Sequence, residues 1–351
     1  MTVLRALLRR GFTSQLFTFH DAELAREARA AGIETQVLGA RGLFDRESLR
    51  LLKRSLQKSQ PQVLHVHGYR ASVYCALAAP AGALGIVKTE HGGVEAGGPR
   101  MRDRWRPLIY RKIETWAARR MRAHIVFVTR ELQARCLREF PGLPASVIYN
   151  GIEALETQAA ARPPEYRSEH VNVAIVGRLE PVKGIEYAIR AMCQPGMPAD
   201  VRLHVIGAGP LQSALEQLAG SLGVGRRVHF AGFRRNAYDY IAHADALLMP
   251  SLHEGLPYTI LEAMVLGTPV LTSRVGGLKE ILTHQRTALQ FEPANERQIA
   301  DTVARAAGDP ALRKALADAA RADATTRFSA EAMTNQYVDL FESLVAVRRP
   351  E

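Results

Sequence analysis

Residues 246–273 read ALLMPSLHEGLPYTILEAMVLGTPVLTS, and this stretch decides the fold. A short apolar run, 246–251, is followed by a turn, a helical stretch and a second short apolar run, 269–273. Apolar runs this short, buried on both faces, are the mark of parallel strands covered by helices. Gly267-Thr268-Pro269 stops the helix. Pro257 is expected at its first position, where the missing N–H costs nothing. Glu254 and Glu262 stand around the helix start, where negative charge is favoured. Free N–H groups near Leu256, Tyr258 and Thr259 would also favour an anion there.

The same alternation extends outward in both directions. Apolar runs at 15–20, 35–39, 63–68, 85–92, 124–129 and 145–152 predict strands in the first half. Runs at 171–177, 202–210, 228–233, 246–251, 269–273 and 288–293 predict them in the second. Helical stretches fill most gaps, which predicts an α/β chain of two doubly wound parallel sheets. The 351 residues suit two domains at roughly 100–200 residues each. The expected boundaries are 1–160 and 165–328, with a last helix over 329–351 packing back on the first domain. Polar residues 154–170, with Pro163-Pro164, form the expected linker. Ligands of open parallel sheets bind outside the carboxyl ends of the strands, so a cleft between facing strand ends is expected.

Composition narrows the class. No apolar run approaches the roughly 18–20 residues that cross a bilayer, and the basic start MTVLRALLRRGF carries no secretory signal pattern. Cys75, Cys136 and Cys193 have neither metal-ligand spacing nor the pattern of a disulfide framework, which fits a reducing cytosol. Net charge is +11, but residues 1–150 carry 25 Lys/Arg against 12 Asp/Glu, leaving the remainder near neutral. A basic half implies an anionic partner, a membrane or a nucleic acid. The segment 100–122 concentrates it, with nine Arg/Lys against Asp103 and Glu114, and Trp105, Leu108, Ile109, Ile113 and Trp116 at near-helical spacing. It reads either as an interfacial helix for an anionic leaflet or as a helix covering its own sheet.

The site residues gather at strand ends. Arg178 and Lys183, in GRLEPVKG after the strand at 171–177, can clamp a diphosphate, or are surface cations beside a turn. Gly207 and Gly209 let the backbone approach a ligand, or make an ordinary tight turn; Gln212 occupies the third glycine position of a nicotinamide fingerprint, which disfavours a dehydrogenase. Glu254 and Glu262 can accept hydrogen bonds from vicinal hydroxyls, as sugars present them. Together these loops describe a site for a nucleoside diphosphate joined to a sugar. His65 and His67 share a strand face, a packed strand end rather than a metal pair.

These motifs, GRLEPVKG, VIGAGP, HFAGF and SLHEGLPYTILEAMVLGTPVLTSRVGGLKEIL, resemble the C-terminal half of retaining glycosyltransferases of the GT-B fold, family 4. The E-x7-E pair Glu254/Glu262 is that family's hallmark, and VLHVHGYRAS, TEHG and VIYNGI resemble its N-terminal half. The resemblance implies a hexosyl transfer from a nucleotide-sugar, UDP over GDP, to a saccharide or lipid-linked acceptor. It implies that Arg178 and Lys183 hold the diphosphate, that Glu254 with the backbone of Gly255 and Leu256 meets the donor sugar, and that Glu262 holds the ribose. His91 would face the sugar near the reacting carbon, and Phe233-Arg234 the base. No metal and no cofactor are expected, and no D-x-D signature is present. The expected setting is the cytoplasm, peripheral on the inner membrane face, in envelope or exopolysaccharide synthesis, with no nucleic-acid partner. Family members begin with a strand, usually central in the first sheet, and a glycine-rich loop; here the sequence starts within the following helix, so the first domain is expected to lack that strand. The alternatives are a catalytically impaired nucleotide-binding homologue and a nucleotide-sugar epimerase.

Overall fold

The computed structural model describes residues 1–40, 42, 44–79, 85–92, 101–153 and 161–346, the side chains of 101–108 excepted. The described chain divides into two compact units, Met1–Gly151 with Ala330–Glu351, and Ile152–Ser329.

The second unit carries a six-stranded sheet. Its strands are β7 (Val171–Val176), β8 (Val201–Ile206), β9 (Val228–Gly232), β10 (Ala246–Met249), β11 (Val270–Ser273) and β12 (Leu289–Phe291). Spatial order is β12-β11-β10-β7-β8-β9, and every pairing is parallel. The order reverses between β7 and β10, the doubly wound topology with one switch point. Val173, Ile175, Leu203, Val205, Leu248 and Leu271 belong to one core, which helices Ile185–Ala191 and Glu296–Gly308 complete. Burying each such side chain contributes about 1.5–3 kcal/mol. Asn295 and Asp309 cap the helices that follow them, each accepting from a backbone N–H three residues on.

The first unit is built from β1 (Gln15–Thr18), β2 (Glu34–Val37), β3 (Val63–His67), β4 (Gly85–Glu90), β5 (His124–Phe127) and β6 (Ala145–Val147). All pairings are parallel, but they form two sheets, β1-β2 and β3-β4-β5-β6. The family resemblance expects a central strand in one first sheet; the described strands form two. One core nonetheless spans the two sheets, with Phe17, Phe19 and Leu64 all packed against the cluster that holds Leu52, Leu56 and Tyr74. The C-terminal helix Ala330–Ala346 packs on the four-stranded sheet through Met333 and Tyr337, against Val87, Val126 and Ile148.

Two expectations need correction. Residues 154–160 of the expected linker lie outside the described residues, but its remainder is not free: Tyr166 is buried, and its hydroxyl donates to the Tyr240 carbonyl at 3.1 Å. Pro257 is not the first helical residue but the cap before helix Tyr258–Leu266, in extended backbone. Its ring fixes φ near −65° without fixing ψ, so it serves either place.

Candidate functional site

The loops after β7 and β10 leave adjacent strands at the switch point of the second unit. Glycine makes their close approach possible. Gly184 ends the short turn Pro181–Lys183 in left-handed backbone, and a Cβ there would lie 2.2 Å from the Pro250 carbonyl oxygen. Lys183 is thereby delivered to the other loop, its Nζ donating to Glu254 Oε1 at 2.7 Å. The same oxygen accepts from Ser251 Oγ at 2.7 Å, and Glu254 is only 8% exposed. Arg178 points elsewhere, with its guanidinium 2.9 Å from Glu180 and largely in solvent.

Gly207 and Gly209 serve the packing of these loops: a Cβ on Gly207 would fall 1.8 Å from the Gly177 oxygen, and one on Gly209 within 2.6 Å of the Leu179 backbone. Gly276 does the same for Glu254, since its Cβ would lie 1.8 Å from the Glu254 oxygen, and Gly277 N donates to that oxygen at 3.3 Å. In the sequence, nothing beyond its place after β11 singles out this glycine pair. Gly255 and Leu256 lead into the helix, Leu256 buried.

Glu262 lies at the middle of that helix, partly buried, with no hydrogen bond or ion pair among the described residues. Burial pushes its carboxyl above the usual range. A carboxyl raised on folding favours the native state at low pH and costs stability once pH rises through its titration. Glu262→Gln is therefore expected to match or raise the melting temperature of the unliganded protein at neutral pH. If Glu262 holds ligand hydroxyls, the same change weakens nucleotide binding about 10- to 100-fold, one or two charge-assisted hydrogen bonds. Equal losses of stability with and without nucleotide would contradict that assignment. Phe233 is 67% exposed, whereas Arg234 donates to the Tyr240 hydroxyl at 3.2 Å, and that hydroxyl donates to Glu165 at 2.8 Å.

His91 belongs to the first unit, one residue beyond β4. Its Nε2 lies 2.9 Å from His67 Nδ1. The His67 ring sits 4.2 Å from His65, whose Nε2 lies 2.7 Å from Thr89 Oγ1, itself 3.0 Å from the Tyr337 hydroxyl. On the other face of β4, the buried Lys88 pairs with Glu114 at 2.8 Å and with Glu90. His67 and His91 keep exposed edges, yet packing strips water from the stack. Desolvation, then the charge of His91, pushes His67 down to about 3. Desolvation and then Lys88 lower His91; burial, then His67 and His91, lower His65. Bases depressed on folding leave the unfolded chain binding more protons. Their stabilisation is full above the unfolded value near 6.5 and is lost as pH falls toward about 3. A urea-midpoint series from pH 7.5 to 4.5 is expected to fall, and His67→Gln to flatten it.

The sequence comparisons cover both units. A model described as Glycosyltransferase Family 4 matches residues 1–154, and one described as Glycosyl transferases group 1 matches residues 159–323. The chain belongs to the GT-B glycosyltransferases of group 1 and family 4. The lipopolysaccharide core biosynthesis glycosyltransferase LpsD of Rhizobium meliloti is 34% identical over 198 residues, 55% of this chain and 57% of that one. A glycogen synthase of Mycobacterium tuberculosis is 30% identical over 297 residues, 81% of this chain and 69% of its own length. The matches to several curated relatives span about half of each relative's length, as with the 45% of the alpha-D-kanosaminyltransferase of Streptomyces kanamyceticus. Among solved structures, Anabaena Alr3699/HepE in complex with UDP and glucose superposes with a TM-score of 0.80 at 20% identity, over 97% of this chain and 96% of that one. At that identity it shows the GT-B fold alone.

Proposed function

We propose that this family 4 chain is a retaining glycosyltransferase, moving a sugar from a UDP-sugar to a saccharide or lipid-linked acceptor in envelope or exopolysaccharide synthesis. One observation carries the reading: a cation, a buried carboxylate and an unpartnered carboxylate, Lys183, Glu254 and Glu262, on loops and a helix at one topological switch point. The relatives named for polysaccharide synthesis and the neighbour solved with UDP and glucose support it.

In this reading the diphosphate displaces carboxylates that occupy the cations in the free protein. Lys183 turns from Glu254, and Arg178 from Glu180, toward phosphate oxygens, which accept Arg as a bidentate fork and Lys as a point charge. Glu254, released on one oxygen, accepts from sugar hydroxyls beside the N–H groups of Gly255 and Leu256, and Glu262 accepts from the ribose. The bond from the anomeric carbon to the phosphate oxygen breaks as the acceptor oxygen attacks from the same face. The acceptor proton passes to the departing phosphate, whose charge Arg178 and Lys183 stabilise. Phe233 offers an exposed ring to the base.

Thermal shifts with UDP, GDP and ADP test the donor site, because a ligand at 100 times its Kd stabilises by about 2.7 kcal/mol. UDP is expected to stabilise selectively, and UDP-sugar incubated with acceptor to give a glycoside of retained configuration. The split sheet of the first unit favours a second reading, a homologue that binds nucleotide without transfer. A UDP shift with neither transfer nor hydrolysis would select it.

We also propose that this chain docks on an anionic membrane surface at the cytoplasmic face. Among the described residues no helix is long and apolar enough to cross a membrane. Arg100 and the side chains of 101–108, including Trp105 and Leu108, lie outside the described residues. The rest of helix Met101–Met121 exposes Ile109 and, along a groove of about 720 Å³, Trp116 beside Lys112, Arg119 and Arg120. Aromatic and basic side chains on one face suit a headgroup layer, each cation contributing about 1 kcal/mol. Co-sedimentation with phosphatidylglycerol vesicles, absent with phosphatidylcholine and weakened by Lys112→Glu/Arg119→Glu, is the expected result.

A further inference from the structure

We propose that His67 is the positioning residue for His91, fixing which nitrogen of the His91 ring faces the sugar. The inference rests on the functional reading above together with the place that the family resemblance implies for His91, facing the donor sugar. Its basis is the 2.9 Å contact between His67 Nδ1 and His91 Nε2, with ring centroids 5.2 Å apart and planes within 22°, so the two rings meet edge to edge.

Two imidazole nitrogens at that distance hold one proton between them. If each carried a proton, two N–H groups would oppose one another; if neither did, two lone pairs would. One ring therefore donates and the other accepts, so the tautomer of His91 is set by that of His67. With Nε2 occupied, Nδ1 is the ring nitrogen left for a ligand. No other described group hydrogen-bonds His91.

His67 in turn is held from behind. His65 packs against it, and His65 is anchored through Thr89 to Tyr337 on the C-terminal helix. Phe341 from the same helix meets the His65 ring at 5.6 Å. The end of the chain thus braces a stack that terminates at His91. A second proton on the pair would meet the charge of Lys88 nearby, so the neutral, tautomer-defined state is the one the surroundings favour. Placing a neutral ring at one angle is the preorganisation that a bound sugar hydroxyl needs, since a group misplaced by about 1 Å can cost about 100-fold.

The test compares His67→Leu, which fills the space without hydrogen bonding, with His67→Asn, which restores a donor and an acceptor. In the wild type, side-chain nitrogen NMR at pH 7.5 is expected to show His91 Nε2 engaged in a hydrogen bond to His67 Nδ1 and His91 Nδ1 outside it. His67→Leu is expected to release His91 Nε2 and to lower kcat with UDP-sugar by about 10- to 100-fold, the cost of a misoriented group. The KM for donor and the thermal shift with UDP alone are expected to stay unchanged. His67→Asn is expected to restore most of kcat. A folded His67→Leu with wild-type kcat overturns the proposal. If the wild type turns over no UDP-sugar, the functional reading fails, and the NMR decides alone. A His91 Nε2 signal that changes in His67→Leu then keeps the pairing, and an unchanged signal overturns it.

Discussion

Lys183→Ala is expected to lower kcat/KM by about 100- to 1,000-fold, the loss typical of one preorganised group facing developing charge. It is expected to destabilise the unliganded protein as well, which an isolated surface lysine would not do. Lys183 Nζ meets Glu254 Oε1 at 2.7 Å, and Glu254 is nearly excluded from solvent. Removing the lysine leaves a buried carboxylate with Ser251 as its one remaining hydrogen-bond donor of those described. The penalty for stranding such a charge is about 1–3 kcal/mol, below the buried-pair range because the lysine side chain is 23% exposed. At roughly 2–4 °C per kcal/mol for a unit of this size, the melting temperature should fall by several degrees. The double variant Lys183→Ala/Glu254→Gln separates the two effects. Removing the stranded charge should recover most of the melting temperature, because pairs in contact are non-additive, while activity stays lost. If the single variant keeps its melting temperature, the ion pair contributes nothing to the free protein. If the double variant recovers activity, Lys183 has no role at the phosphates.

The stability of that pair belongs to the part of the molecule that sequence does not display. Local information was rich: each of the twelve expected runs overlaps a strand, and the strands buried on both faces are continuously apolar. The runs overshot at their carboxyl ends, as at 85–92 against Gly85–Glu90 and 202–210 against Val201–Ile206. There the final residues, His91-Gly92 and Gly207-Ala208-Gly209, belong to the loops. That the candidate residues lie on loops at strand ends followed from the same alternation. Which of them meet did not, because pairing is fixed by topology. Lys183 and Glu254 are 71 positions apart and become neighbours only because β7 lies beside β10. Arg178 and Lys183 look equivalent in GRLEPVKG, yet one pairs with Glu180 and the other with Glu254. Pro163-Pro164 reads as a linker because proline marks turns, but the anchoring of Tyr166 under Tyr240 is a contact over 74 positions. The histidine stack likewise needs β3 beside β4 and a helix from the far end of the chain.

The sharpest consequence of such long-range contact lies at a glycine. Gly276→Ala is expected to abolish the UDP-induced thermal shift and to cost the second unit several kcal/mol. Gly276 has φ +46, a left-handed conformation that costs an L-residue roughly 1–2 kcal/mol. Steric overlap costs more: the added carbon would lie 1.8 Å from the Glu254 oxygen and 3.5 Å from its nitrogen. Those are backbone atoms, so no rotamer relieves the contact, and either the 273–277 turn or the Glu254 loop must move. Movement of the Glu254 loop breaks its contacts to Lys183 and Ser251 together. Gly220→Ala supplies the opposite case. It lies within helix Gln212–Ser221, with open space where the Cβ would go. There the exchange removes only the entropic weakness of a helical glycine and should stabilise by about 0.5–1 kcal/mol. Calorimetry of the two variants, with and without UDP, should therefore move the melting temperature in opposite directions and remove the nucleotide shift in one alone. If Gly276→Ala binds UDP as the wild type does, the Glu254 loop can yield without loss of the site. The Lys183→Ala effect on activity would then be one of charge alone, independent of how tightly that loop is held.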